Sequence, residues 1–95
     1  MNVVRIEGLN KNHKVMLYTL STCIWCKKTK QLLIDNKITY EYIDLDTASS
    51  EDKKIALEDL KKRQAPIAFP SIIIDGEKLI TGYKVQEISE ALNLN

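Results

Sequence analysis

The 95-residue chain holds two cysteines, Cys23 and Cys26, with Ile24 and Trp25 between them. The chemistry such a pair supports is thiol–disulfide exchange. Residues three apart on a helix share a face, with Cβ atoms roughly 5–6 Å apart, and a disulfide accepts Cα separations of about 4.4–6.8 Å. A helical Cys23-Ile24-Trp25-Cys26 segment can therefore pass between dithiol and disulfide with little backbone movement. A bridge closing so short a loop adds little stability by chain entropy, so the pair reads as reactive rather than structural. Two blander readings stand beside it. Helical cysteines also serve as small buried hydrophobes. Zinc wants four ligands, and with His13 the chain offers three, so only a site shared in a dimer could hold it and no metal is expected.

Position decides which thiol acts first. Val15 to Leu20 is a near-continuous apolar run, the pattern of a strand buried on both faces. Helical signals follow at once: Ser21 and Thr22 are acceptable N-caps, and Trp25, Thr29, Leu32 and Leu33 recur at helical spacing up to about Asn36. Cys23 then lies where the first helical N–H groups are unpaired and the helix dipole is positive, a setting that stabilises a thiolate. Lys27 and Lys28 either add to that field or form, with Lys30, an ordinary solvated face outside the apolar stripe. Cys26, one turn further in, is expected to be buried and to react second. Cys23 attacks a substrate disulfide, Cys26 resolves the mixed disulfide, and an outside reductant resets the pair.

The remaining elements must hold that helix start in place. Val3, Val4 and Ile6 form a short apolar run, and Gly8 to His13 reads as a polar turn in which His13 has no role. Ile38 to Leu45 is a second strand, with Tyr40 and Tyr42 as packing residues. Ser49 or Ser50 caps a charged helix from about Glu51 to Gln64, its inner positions being Ile55, Ala56, Leu57 and Leu60. Ala65 to Pro70 is a break with two prolines. Ser71 to Ile74 and Lys78 to Thr81 form a hairpin turned at Asp75-Gly76, and Val85, Ile88, Ala91 and Leu92 define a last helix. The order β-α-β-α-β-β-α implies a mixed sheet with helices on its faces.

Bulk properties exclude several classes. The 14 basic and 13 acidic residues nearly cancel, which argues against duplex nucleic acid or an anionic membrane as a partner. Apolar residues make up 44% and charged residues 28%, ordinary for one soluble domain, residues 1–95. No run approaches the roughly 18 apolar residues of a membrane span, and Met1 to Lys14 lacks the apolar core of a signal peptide. Two closely spaced cysteines are not a secreted disulfide framework, and a cytoplasmic location follows as the expectation.

From about Lys14 to Leu92 the sequence resembles the glutaredoxin family of the thioredoxin fold. The resemblance rests on Tyr18-Thr19-Leu20-Ser21-Thr22-Cys23-Ile24-Trp25-Cys26, on Ala68-Phe69-Pro70, and on Gly82 after the hairpin. It implies a thioredoxin-like α/β fold with a four-stranded mixed sheet and helices on both faces, residues 1–13 adding an edge strand or an N-terminal extension. It also implies a cis Pro70 opposite the cysteines, with the Phe69 backbone presented to substrate; without it, Pro70 reads as a strand-opening residue. Substrate contacts are expected from Thr22, Trp25, Phe69, Pro70, Gly82 and Tyr83, although Trp25 and Tyr83 read equally well as packing residues at helix starts.

Three departures bear on the electron donor. Ile24 replaces the proline usual after the first cysteine, Leu20 stands where a lysine or arginine would pair with a glutathione carboxylate, and Gly82-Tyr83-Lys84 replaces a glycine pair with acidic residues. Two polar anchors for a charged tripeptide are missing. A glycine followed by an aromatic is similar to NrdH-type redoxins, which a thioredoxin-reductase-type flavoprotein reduces. The lysine-rich first helix and short N-terminal strand resemble glutaredoxin-like proteins of methanogenic archaea. The expectation is a monomeric dithiol redoxin that reduces protein disulfides through Cys23 and Cys26 without a bound cofactor. Its electron donor is expected to be such a flavoprotein, a ferredoxin-linked system or glutathione. The rivals are a carrier that bridges a [2Fe–2S] cluster in a dimer through Cys23, and a non-enzymatic thioredoxin-fold interaction module.

Overall fold

The computed structural model describes residues 1–94. Five strands form one mixed sheet: β1 (Val4–Ile6), β2 (Val15–Thr19), β3 (Tyr40–Asp44), β4 (Ser71–Ile74) and β5 (Lys78–Thr81), in the spatial order β1-β3-β2-β4-β5. The helices are α1 (Ile24–Asp35), α2 (Ser50–Lys62) and α3 (Val85–Ala91). β2 and β3 run parallel with α1 as their crossover, whereas β1 joins β3, β4 joins β2 and β5 joins β4 antiparallel. β1 is the extra edge strand allowed for residues 1–13, which brings the expected four strands to five.

Strand alternation sends the core to both faces. Val15, Leu17, Tyr40, Ile72 and Ile74 pack with Leu33 of α1 and with Ile88 and Leu92 at α3. Tyr18, Ile43, Leu45 and Ile73 pack on the opposite face with Ala56 and Leu60 of α2. The central strand is thus covered on both sides, as its apolar run requires. Ser49 is the α2 cap, its hydroxyl accepting from the Asp52 N–H at 3.1 Å, with Glu51 and Asp52 in the first turn and Lys61 and Lys62 in the last complementing the dipole. The hairpin turn has positive φ at both Asp75 (55°) and Gly76 (70°), closed by the Glu77 N–H donating to the Ile74 carbonyl at 3.1 Å.

Several boundaries differ from expectation. Leu20 falls outside β2, where its backbone carbonyl accepts from the Cys23 N–H at 3.2 Å. Ile38 lies before β3 and makes a lone parallel bridge with Asn10. Ile55 is 44% exposed, because α2 meets the sheet along the narrow stripe of Ala56 and Leu60. His13 is not idle: its ring Nδ1 lies 2.8 Å from Asp75 Oδ2, while Asp75 Oδ1 accepts from the Lys14 N–H at 2.9 Å. The pair clasps the entry of β2 to the β4–β5 turn.

Candidate active site

α1 begins at the motif itself. The N-cap is Cys23, with extended backbone (φ −81°, ψ 118°), and its Sγ accepts a hydrogen bond from the Cys26 N–H at 3.2 Å. This corrects Ser21 and Thr22 as caps. Ser21 instead bonds Asp46, through its N–H at 2.8 Å and through its hydroxyl, tying the approach to α1 to the β3–α2 turn. These two hydrogen bonds hold the Asp46 carboxyl below the usual carboxylate range. Thr22 is exposed.

A sulfur in the capping position meets the unpaired N–H groups that an anion favours, and the bond from Cys26 N–H strengthens when the acceptor is charged. Both cysteines are free, Cys23 half-buried and Cys26 fully buried. Burial pushes the Cys26 thiol up to about 12, with the hydrogen bond to Cys23 acting in the same direction. The two sulfurs therefore differ in access: one is reachable at the helix tip, the other is an interior thiol one turn on.

The other candidates converge on the same end of the sheet. Tyr18 pairs with Ser71 across β2 and β4, so Pro70 lies one step beyond, beside the end of β2 from which the chain enters α1. The Phe69–Pro70 bond is cis, as the resemblance implies. The Pro70 ring is buried, its carbonyl accepts from the Gly82 N–H at 2.8 Å, and Phe69 packs partly against the α2-side core. Gly82 has φ +96°, a conformation that costs a side-chain-bearing residue but not glycine. Trp25 and Tyr83 meet each other, stacked at 5.8 Å, with the Lys28 ammonium 4.9 Å from the indole centre.

The sequence passed over one cluster. Lys30 is not on a solvated face: its side chain is 19% exposed, Nζ lies 3.2 Å from Asp44 Oδ1 and 3.8 Å from the Tyr42 ring centre. Thr19, buried and opposite Asp44 in the parallel ladder, donates its hydroxyl to Asp44 Oδ1 at 2.6 Å. The available signal was spacing, since Lys30 is four residues after Cys26 and so shares its helix face.

A helix-capping sulfur with a second, interior thiol one turn away is an arrangement suited to two successive exchanges at one sulfur. The family model described as Glutaredoxin matches residues 15–80. A Glutaredoxin 1 of Rickettsia felis is 33% identical over 63 residues, which cover 66% of this chain and 59% of that protein, under two thirds of its length. A glutaredoxin of Methanosarcina mazei superposes with a TM-score of 0.86 at 36% identity, over 97% of this chain and 88% of that one. The methanoredoxin of Methanosarcina acetivorans gives 0.76 at 39% identity, over 85% of each chain. The cysteine pair and the cis Phe69–Pro70 bond stand within residues 15–80, and the chain belongs to the glutaredoxin family.

Proposed function

We propose that the protein is a thiol–disulfide oxidoreductase that reduces protein disulfides through a Cys23–Cys26 dithiol/disulfide cycle. The observation that carries this is the hydrogen bond from the Cys26 N–H to Cys23 Sγ at 3.2 Å, which ties the reachable sulfur to the backbone of the residue that carries the buried one, a single helical turn away. Cys23 attacks a substrate disulfide, keeps one half as a mixed disulfide and releases the other as a thiolate. Cys26 then attacks Cys23, forming the intramolecular disulfide and releasing the second thiolate. Two electrons pass from the cysteine pair to the substrate. Thr22, Trp25 and Tyr83 at the helix start, with Phe69, Pro70 and Gly82 beside the end of β2, frame the place where substrate is received.

For the electron donor, Leu20 and the Tyr83-Lys84 pair favour a thioredoxin-reductase-type flavoprotein over glutathione. A charged tripeptide buried at this site without its ionic partners carries a desolvation cost that nothing repays. The oxidised protein, offered glutathione, a thioredoxin-reductase-type flavoprotein and a ferredoxin-linked reductase in parallel, should recover both free thiols fastest with the flavoprotein. Failure of the native protein to cycle between two and zero free thiols with any of them sinks the dithiol mechanism.

A further inference from the structure

Resting on the dithiol reading above, we propose that Lys30 is a positioning residue for the second exchange, holding its ammonium on the face of α1 that carries Cys26 so that the buried sulfur can ionise and resolve the mixed disulfide.

The geometry runs from helix to sheet. Cys26 and Lys30 are four residues apart on α1 and lie one above the other. Helical side chains lean toward the N-terminus, which brings the Lys30 stem back along the turn that bears Cys26. A free lysine on that face would swing its ammonium into water. Here it is held from the sheet side: Asp44 Oδ1 at 3.2 Å, the Tyr42 ring centre at 3.8 Å, and Thr19 fixing Asp44 from the neighbouring strand at 2.6 Å. The charged and titratable groups around Cys26 are then Cys23 and Lys30 on its own helix, with Asp44 and Tyr42 of β3 facing Lys30. Of these, Cys23 opposes the ionised Cys26 sulfur and Lys30 favours it, adding to the larger favourable effect of the Leu20 backbone hydrogen bond. Once Cys23 is bound in a mixed disulfide that opposition is gone, and the pull of Lys30 remains beside the Leu20 backbone hydrogen bond.

The step balances without a further oxidant. Cys26 gives its proton to a solvent base, its thiolate attacks Cys23 Sγ, the Cys23–substrate S–S bond breaks, and the leaving thiolate takes up a proton. Because Cys26 starts as a buried thiol, the population of its thiolate sets the rate, and a nearby cation raises that population.

The test follows both exchanges with one equivalent of an aromatic disulfide whose thiolate is coloured. The first equivalent of colour reports attack by Cys23 and the second reports resolution by Cys26. Lys30→Gln and Lys30→Met should slow the second phase about tenfold at neutral pH, the size of one unit charge lost at close range in a partly buried site, and leave the first within about twofold. The rise of the second phase with pH should move upward in both variants. Lys30→Arg, which keeps the charge, should restore most of the second-phase rate. A second phase unchanged in Lys30→Gln, or one that Lys30→Arg restores no better than Lys30→Gln does, overturns the proposal. Should Lys30→Met not fold, the comparison of Lys30→Gln with Lys30→Arg decides. A wild-type protein that never releases the second equivalent overturns the dithiol mechanism itself, whatever Lys30 does.

Discussion

Trp25 and Tyr83 stack with ring centroids 5.8 Å apart and planes 28° from parallel, so the residue inside the cysteine motif is braced by the segment that links β5 to α3. Trp25 is nonetheless 51% exposed. The pair forms one aromatic ledge beside Cys23, with half of the indole turned outward. An exposed, rigid aromatic surface is what protein partners use as an anchor. Helix-start packing therefore leaves room for a substrate contact: each ring packs on the other, and half of the indole stays exposed.

Tyr83→Ala removes the brace and leaves the thiols untouched. KM for a protein disulfide should rise about three- to tenfold with kcat little changed, the pattern of lost uniform binding. For a small, uncharged disulfide both constants should hold. Steady-state kinetics on the two substrates separates these outcomes, and an equal loss on both would place Tyr83 in the chemistry instead.

Alkaline stability should depend on redox state. Burial raises the folded-state Cys26 thiol from 9.0 to about 12. An acid whose folded value lies above its unfolded value holds a proton that the unfolded chain has lost, so stability is full below about pH 9 and falls as pH rises toward 12. One such proton gives a slope of about 1.4 kcal/mol per pH unit in that window. Tyr40, pushed up to about 12 by burial and by Tyr42, adds to the fall above pH 10. The oxidised protein has no Cys26 proton to lose. Urea midpoints of the reduced form should therefore drop from about pH 9, while those of the oxidised form and of Cys26→Ala hold until tyrosine ionisation begins. Parallel curves for reduced protein and Cys26→Ala would remove Cys26 as the cause.

What the residue pattern made legible was whatever local rules govern. Apolar runs located β2 and β4, alternation located β3, Asp75-Gly76 located the hairpin, and CxxC after a buried strand pointed to the candidate site. Tertiary choices were hidden. Ser21 is as good a cap as any by type, yet Asp46 recruits it and the cap passes to Cys23, a residue outside the usual capping set. Lys30 and Asp44 look like surface charges until the parallel β2–β3 ladder sets Asp44 beside Thr19 under α1. Ile55 has the right hydropathy for the core, but α2 crosses the sheet with Ala56 and Leu60 buried and Leu57 partly buried against it, which leaves Ile55 outside. Each miss depended on which elements pack together, information that spacing along one element does not hold.

Gly8 is a second case, and it predicts a stability effect remote from the cysteines. A Cβ at Gly8 would stand 2.3 Å from the Lys37 carbonyl oxygen, which is backbone and cannot swing aside. The glycine lies that close because the buried Thr39 hydroxyl donates to its carbonyl at 2.8 Å and accepts from its N–H at 2.9 Å. Gly8→Ala should cost about 1–3 kcal/mol by forced backbone displacement. Thr39→Val, which leaves both Gly8 groups without that partner, should cost a similar amount. Thermal unfolding measures both, and unchanged thiol kinetics in the surviving fold would confine the effect to the β1 edge.

Tyr18, Asp59 and Arg63 give the last prediction, because they bind α2 to the sheet and to the hairpin at once. The Tyr18 hydroxyl donates to Asp59 Oδ2 at 2.7 Å, Arg63 Nε donates to Asp59 Oδ1 at 3.0 Å, and Arg63 Nη1 reaches the Gly76 carbonyl at 2.9 Å. Burial and Asp59 together raise the Tyr18 phenol, which keeps it a donor across the whole working pH range. Tyr18→Phe removes one hydrogen bond while Asp59 keeps Arg63, so about 1 kcal/mol should be lost. Asp59→Ala strands a half-buried hydroxyl as well as the guanidinium, and should cost more, roughly 1–3 kcal/mol. The double variant should then lose less than the sum of the two singles, since the removed groups share one bond. Urea unfolding of the four proteins measures that coupling. Strict additivity would mean that the Tyr18–Asp59 contact contributes nothing to folding.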